Sequence, residues 1–520
     1  MTPQLNADST ETALRRTFGN GFVDWILATD ENTPLTSSQE EVAVILHRES
    51  NAAIPPGTQV PAYLRLLHLQ GLDQQTQKPI LLQLRSLAGG TDTVLPEPSG
   101  DPVLDALHAW TAENFGALLL GSHGAGIGWG TPSMNRLARA VAADPALPFD
   151  VNSSPEDVLY LANSLGGGSG LQSAVVGPAV AQAAYRRAAA AEPTPQIGDV
   201  FAELPKALDA AREVCAGRTV ETLALAGLTG VLLPEGMSEL TAPWGRVRVA
   251  HDSDNPMASR QALTLAMEDG TQLVSSDSGD LTVETTAPWS AEITALPSAD
   301  DLPPSKPSTG YAVLERRLEE TRLALALAIG GEQVPVLLPT WLHLEDPLSA
   351  MTTYSLTQLA AFRQRTPTRL TTEQAKDWEQ WIDLLNGLPL DNLGQAPRRL
   401  LRAITERQDP VDALVDAVIA WEAIFGTSTE ITFRVCASLA RLLHTSVDER
   451  TEFLKSAKKV YNARSKIVHG TSEVKIDEVH RLRDQAVSVA VDAFRALVVD
   501  RRDLLSIPNS DKRSERIMLE

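Results

Sequence analysis

The stretch VYNARSKIVHG, Val460 to Gly470, places Arg464 and His469 five positions apart. An imidazole titrates near neutral pH and can take or return the proton of a hydroxyl. A guanidinium forms paired hydrogen bonds to phosphate oxygens and stabilises the charge that grows there in a transition state. Together the two side chains suit cleavage of an RNA phosphodiester, a reaction that needs no metal if the 2′-hydroxyl attacks. Spacing alone carries little weight. With 45 Lys and Arg and 9 His in 520 residues, a chance R-x4-H pair is unsurprising, and the chain holds a second, Arg246/His251, within RVRVAH. That alternating stretch reads as a strand, on which residues five apart point to opposite faces. The second pair is therefore assigned a structural role.

The setting distinguishes Arg464 and His469. They lie where a long amphipathic helix meets Gly470, a residue type that ends helices. Five residues on an ideal helix are separated by about 140°, so convergence requires the histidine to swing back at the helix end. Between Arg450 and Gly470 stand Arg450, Lys455, Lys458, Lys459, Arg464 and Lys466 against Glu452 alone, in a chain whose net charge is −21. The acidic whole argues against a protein that coats nucleic acid with its entire surface, but not against a local basic site.

Several helices must position that stretch. From about Ser355 the apolar spacing is helical, beginning with Leu356, Leu359 and Phe362, then Thr372-Glu373 with Trp378 and Trp381, then Leu400 to Arg407. Four longer helices are expected over Pro410–Phe425, Thr429–Leu443, Val447 to about Ile467, and Ile476–Val499. Leu414, Val418 and Trp421 line the first, and Phe433, Ala437, Ala440 and Leu443 the second. Short joints between such helices predict an antiparallel bundle. Before it, alternating apolar runs bounded by Gly, Pro, Asp and Ser predict a β-rich domain, interrupted by a helix near Ala312–Ala328. The expected organisation is α+β: a mixed, largely helical N-terminal region over 1–215, a β-rich domain over 216–350, a helical bundle over 351–507 and a disordered tail over 508–520.

The segment FRVCASLARLLHTSVDERTEFLKSAKKVYNARSKIVHG, Phe433 to Gly470, resembles the Apea-like branch of the HEPN domain family. The likeness extends upstream into DALVDAVIAWEAIFG and downstream into the last long helix, and does not reach the first ~215 residues. It implies a small helical bundle that forms a homodimer, placing two motifs around one composite cleft. It implies a metal-independent endoribonuclease of antiphage, abortive-infection or toxin type. In that reading His469 is general acid and base, Arg464 binds the scissile phosphate, and a 2′,3′-cyclic phosphate results. Tyr461, Asn462, Ser465 and Lys466 line the cleft or bind RNA. Glu422 and Arg434, on the two preceding helices, pair with one another or orient the motif. Many active members carry Asn, Asp or His directly after the arginine; Ser465 can bind a phosphate but is a poor acid or base at neutral pH.

Other features narrow the partners. Cys215 and Cys436 are far apart, which excludes a Cys-rich metal site or disulfide framework and fits a reducing compartment. The glycines of GSHGAGIGWG and LGGGSG match neither the dinucleotide fingerprint nor the P-loop, so no cofactor or metal is expected. No apolar run reaches the ~18 residues of a membrane span, and the first residues have no apolar signal core; a cytoplasmic protein is expected. The partners implied are RNA, a second copy of the chain, and a trigger or antitoxin acting on the N-terminal regions. The alternative is a HEPN module without catalysis that binds RNA or protein and dimerises. A carbohydrate or small-molecule site built on Trp244, Trp289 and Trp341 is the weakest reading, because core packing explains buried tryptophans equally well.

Overall fold

The structure, a computed structural model, describes residues 7–30, 33–52, 62–121, 131–147, 159–162, 169–171, 173–251, 253–254, 263–266, 272–275, 279–295, 309–330, 334–349, 353–355, 367–407, 409–427, 429–468 and 475–520. Its class is α+β. The chain divides into two compact units, each assembled from separate segments. The first comprises Met1–Gly227, Ala250–Leu314 and Pro339–Arg365; the second comprises Leu228–Val249, Glu315–Leu338 and Thr366–Glu520. Strands predicted over 216–350 are present, among them Val220–Thr229, Glu239–Ala242, Gly245–Val249, Leu281–Trp289 and Leu338–Leu344.

In the first unit, strands Thr353–Ser355, Leu338–Leu344, Val220–Thr229 and Leu281–Trp289 lie side by side in that order. Trp289 and Trp341 are buried in this core. A Cβ at Gly227 would stand 2.1 Å from Trp341 Nε1, so only glycine leaves room for the indole. A smaller antiparallel sheet sets Leu159–Ala162 between Ser169–Leu171 and Glu292–Ala295. Helix Pro102–Leu119 begins at Asp101, whose carboxylate accepts the amides of Val103 and Leu104 at 2.9 and 3.2 Å. Arg212, near the end of helix Ile197–Cys215, reaches Asp101 at 2.8 Å and Asp144 at 2.7 Å. Just past strand Leu338–Leu344 stand two adjacent buried acids. Glu345 is held by Arg187, whose Nε and Nη2 lie 3.0 and 2.6 Å from Oε1. Asp346 accepts the Leu348 amide at 2.9 Å through Oδ1.

The second unit holds the hairpin Glu239–Ala242/Gly245–Val249 and a parallel pair, Val231–Leu232 with Thr368–Arg369. Glu379, on helix Thr372–Leu385, accepts the amide of Thr241 at 2.6 Å and so closes an open strand edge. That helix starts with a reciprocal capping box between Thr371 and Gln374, the S/T-x-x-E/Q pattern. The long helices lie where apolar spacing places them: Pro410–Phe425, Ile431–Leu443, Val447–Val468 and Ile476–Val499. Two indoles tie the interior to backbone, Trp378 Nε1 donating to Thr321 O at 2.9 Å and Trp421 Nε1 to Ala486 O at 3.1 Å. The helix expected to begin at Leu356, Leu359 and Phe362 lies outside the described residues. No described helix is long and apolar enough to cross a membrane.

The tail departs from expectation. The charge of residues 508–520 predicts a disordered tail, yet Ser510–Met518 is a helix capped by Asn509. Its Arg513 is 1% exposed. The guanidinium donates to the carbonyls of Ile424 (2.9 Å), Asn392 (2.9 Å), Ala423 (3.1 Å) and Ile507. Two of those carbonyls belong to the last turn of Pro410–Phe425, where backbone acceptors have no partner within the helix. A charge count reads this segment as solvated; the buried arginine instead supplies donors that the helix end lacks.

Candidate functional site

Asp409 opens helix Pro410–Phe425 by accepting the Val411 amide at 2.8 Å, and Pro410 sits where a missing N–H costs nothing. The helix buries Leu414, Val418 and Trp421. Asp416, also buried, binds Arg399 at 2.5 Å and Arg407 at 2.6 Å, which fixes the start of the helix to the segment before it. Glu422 follows Trp421 and faces the Val447–Val468 helix. That helix buries Ala457, Val460 and Tyr461. Residues three apart share a helix face, so Tyr461 and Arg464 both reach Glu422.

The three side chains form one network. The Tyr461 hydroxyl donates to Glu422 Oε1 at 2.5 Å, and Arg464 Nη2 lies 3.5 Å from Glu422 Oε2. The Glu422 and Arg464 side chains are 25% and 20% exposed, so the pair is sheltered but reachable. Burial pushes the Tyr461 hydroxyl well above its ordinary range, and its bond to Glu422 pushes it further. The phenol therefore stays protonated and remains a donor. Arg464 Nε is shielded and has no hydrogen-bond partner among the described residues. The carboxylate of Glu422 thus orients the Arg464 guanidinium, whose side chain remains partly exposed.

The other expected residues are dispersed. Asn462 and Lys466 are exposed and Ser465 is half-buried, on the same helix. Arg434 does not pair with Glu422: its guanidinium lies 3.2 Å from Asp511, both side chains partly exposed. The expected Glu422–Arg434 pairing is thus replaced by a link from Arg434 to the tail helix. His469 and Gly470 lie outside the described residues. Of the second R-x4-H pair, Arg246 meets Glu239 at 2.8 Å, and His251 Nδ1 lies 3.2 Å from the Ala189 carbonyl.

The apolar spacing places Phe433 on the core line of its helix, but the buried line is Val435, Cys436, Leu439 and Ala440, and Phe433 is 44% exposed. Lys458 Nζ lies 5.1 Å from the Phe433 ring centroid. The local positive charge is partly answered: Lys455 meets Glu452 at 3.5 Å and Lys459 meets Glu478 at 3.4 Å. Those acids stand on the same helix or the next one, so a count restricted to one stretch missed part of the compensation. Among the described residues no three His, Cys, Asp or Glu side chains come together as a metal site. Comparison of the chain with family models, with curated proteins and with solved structures finds no match.

Proposed function

We propose that the protein is a metal-independent endoribonuclease of HEPN type, acting in antiphage or toxin-like defence, with its remaining regions sensing a trigger or restraining the bundle. The observation that supports this reading is the shared hold of Tyr461 and Arg464 on Glu422, which orients a partly exposed guanidinium on the helix that carries the motif. In the proposed reaction the substrate's 2′-hydroxyl loses its proton to His469 and bonds to phosphorus. The bond from phosphorus to the 5′-oxygen breaks, and that oxygen takes a proton as it leaves. Arg464 binds the non-bridging oxygens, where negative charge accumulates. The proposed assembly is a homodimer through the bundle, each copy supplying half the cleft.

The test is RNA cleavage in EDTA with end-group analysis. Persistent activity yielding 2′,3′-cyclic phosphate ends is expected. Arg464→Ala and His469→Ala should each lower the rate at least 100-fold, while His251→Ala should not change it. A requirement for metal, or full activity in either site variant, refutes the mechanism. A second reading has its own support: Glu422 already neutralises Arg464, as a non-catalytic RNA- or protein-binding module would tolerate. A folded dimer that binds RNA without cutting it, with and without trigger, selects that reading.

A further inference from the structure

Between helices Ile80–Leu87 and Pro102–Leu119 of the first unit, residues 91–99 read TDTVLPEPS and form neither helix nor strand. Both ends of this run are fastened. The Gly90 amide donates to the Arg85 carbonyl at 2.9 Å, where the first helix ends. Ser99 gives its amide and its hydroxyl to Asp105 Oδ1, each at 2.8 Å. Between those anchors, residues 91–98 make no hydrogen bond or ion pair among the described residues. Val94 stands 88% exposed and its neighbour Leu95 47%. Two adjacent apolar side chains held in water contribute nothing to the core. The prolines set the path of the run. Pro96 and Pro98 hold φ near −65° and donate no amide hydrogen. Each also drives the residue before it, Leu95 or Glu97, into extended backbone. The stretch from Leu95 to Pro98 is therefore preset, and it has little freedom left to lose on binding. A polyproline path has three residues per turn, which puts Val94 on a ridge with Glu97 and Leu95 on a ridge with Pro98. All four are exposed, whereas Thr93, on the third ridge, is half-buried.

We propose that residues 92–98 are a recognition segment, which docks as a polyproline-type ligand into a groove of another protein lined by aromatic side chains and rimmed by lysine or arginine. Leu95 and Pro98 enter the apolar slots of that groove, a mode of binding that exploits a ligand already extended. Asp92 and Glu97, which have no ion pair among the described residues, meet the basic rim. The charge of the segment disfavours nucleic acid, whose phosphates these carboxylates repel. An open β-sheet edge fits less well, because the two prolines remove donors that a ladder would use. The inference concerns the first unit and stands apart from the ribonuclease reading.

The experiment uses the full chain carrying Thr91→p-benzoylphenylalanine, a photocrosslinker beside the segment, irradiated in the cells that naturally make the protein. The captured protein is identified, purified and titrated with a fluorescent peptide of residues 91–99 and with the full chain. Both should bind, and excess peptide should abolish the crosslink. Leu95→Ala is expected to weaken binding at least about 10-fold. Pro96→Ala combined with Pro98→Ala should weaken it about 4- to 30-fold, because the unbound segment regains freedom. Asp92→Asn combined with Glu97→Gln should remove most of the affinity lost between about 50 and 500 mM salt. None of these exposed-loop variants should change RNA cleavage in EDTA, so this inference and the ribonuclease reading fail separately. Absence of a captured protein overturns the segment's role, as does a crosslink that survives excess peptide or a Leu95→Ala chain that binds as tightly as the parent. Capture of a second copy of the chain, or of RNA, overturns it as well.

Discussion

Glu422 holds two donors at once, and its two partners can be separated by substitution. Tyr461→Phe removes the hydroxyl bond and leaves one carboxylate oxygen to solvent, which should cost about 1–2 kcal/mol in a denaturant titration with little change of fold. Glu422→Gln removes the charge that anchors Arg464. Freed of its counter-ion, the guanidinium should bind RNA more tightly but less well oriented, so KM and kcat should fall together; an unchanged kcat would show that anchoring is irrelevant. The hold of Arg464 on Glu422 is not legible in the sequence, because the two lie 42 positions apart and only bundle packing brings them together. Asp346 supplies a further test at this scale. Burial pushes its carboxyl up to about 7, the Leu348 amide and the Trp289 indole pull it back, neighbouring Glu345 pushes it up again, and the Ser349 amide opposes that. An acid whose folded pKa is raised favours the protonated folded state. Its contribution is complete below the ordinary value near 3.8 and is lost as pH rises through 7. Unfolding free energy should therefore decline by up to roughly 4 kcal/mol between pH 4 and 8, and Asp346→Asn should flatten that decline.

At the scale of elements, boundaries followed local chemistry where caps are strong. Pro410–Phe425 begins at an Asp-Pro pair and Ile476–Val499 carries acids in its first turn, and both were placed correctly from sequence. The Ile431–Leu443 face was misread because Phe433 has the type of a core residue while its helix turns it outward. The 508–520 segment was misread because a run of charges signals solvation unless a buried acceptor awaits one of them. Arg513 meets such acceptors, and replacing it by methionine keeps the bulk while stranding carbonyls at the end of Pro410–Phe425. The expected loss is about 2–4 kcal/mol in urea unfolding; a change below 0.5 kcal/mol would mean that water replaces the guanidinium without cost.

At the scale of the molecule, the α+β class was legible, since period-two and period-3.6 patterns separate cleanly along the chain. The division into units was not. Sequence reading favours consecutive domains, whereas here segments such as Leu228–Val249 and Thr366–Glu520 share a unit although more than 100 residues separate them. Contacts between segments so distant slow folding, because long loops must close first. A cut introduced between 250 and 314 should therefore impair the second unit as well as the first, measurable as loss of protection in hydrogen exchange over 372–385; unchanged protection would show that the second unit stands without that connection.

Arg513 also sets an order of events during synthesis. The carbonyls of Ile424 and Ala423, which follow Glu422 directly, are made 89 and 90 positions before the arginine that they bind. At translation rates of ~5–20 residues per second, that interval is roughly 4–18 s. Throughout it, the turn that carries Glu422 lacks its last backbone partners. The anchor of Arg464 is thus among the final parts of the bundle to be fastened, and a half-made chain emerging beside the RNA being translated does not yet have it in place.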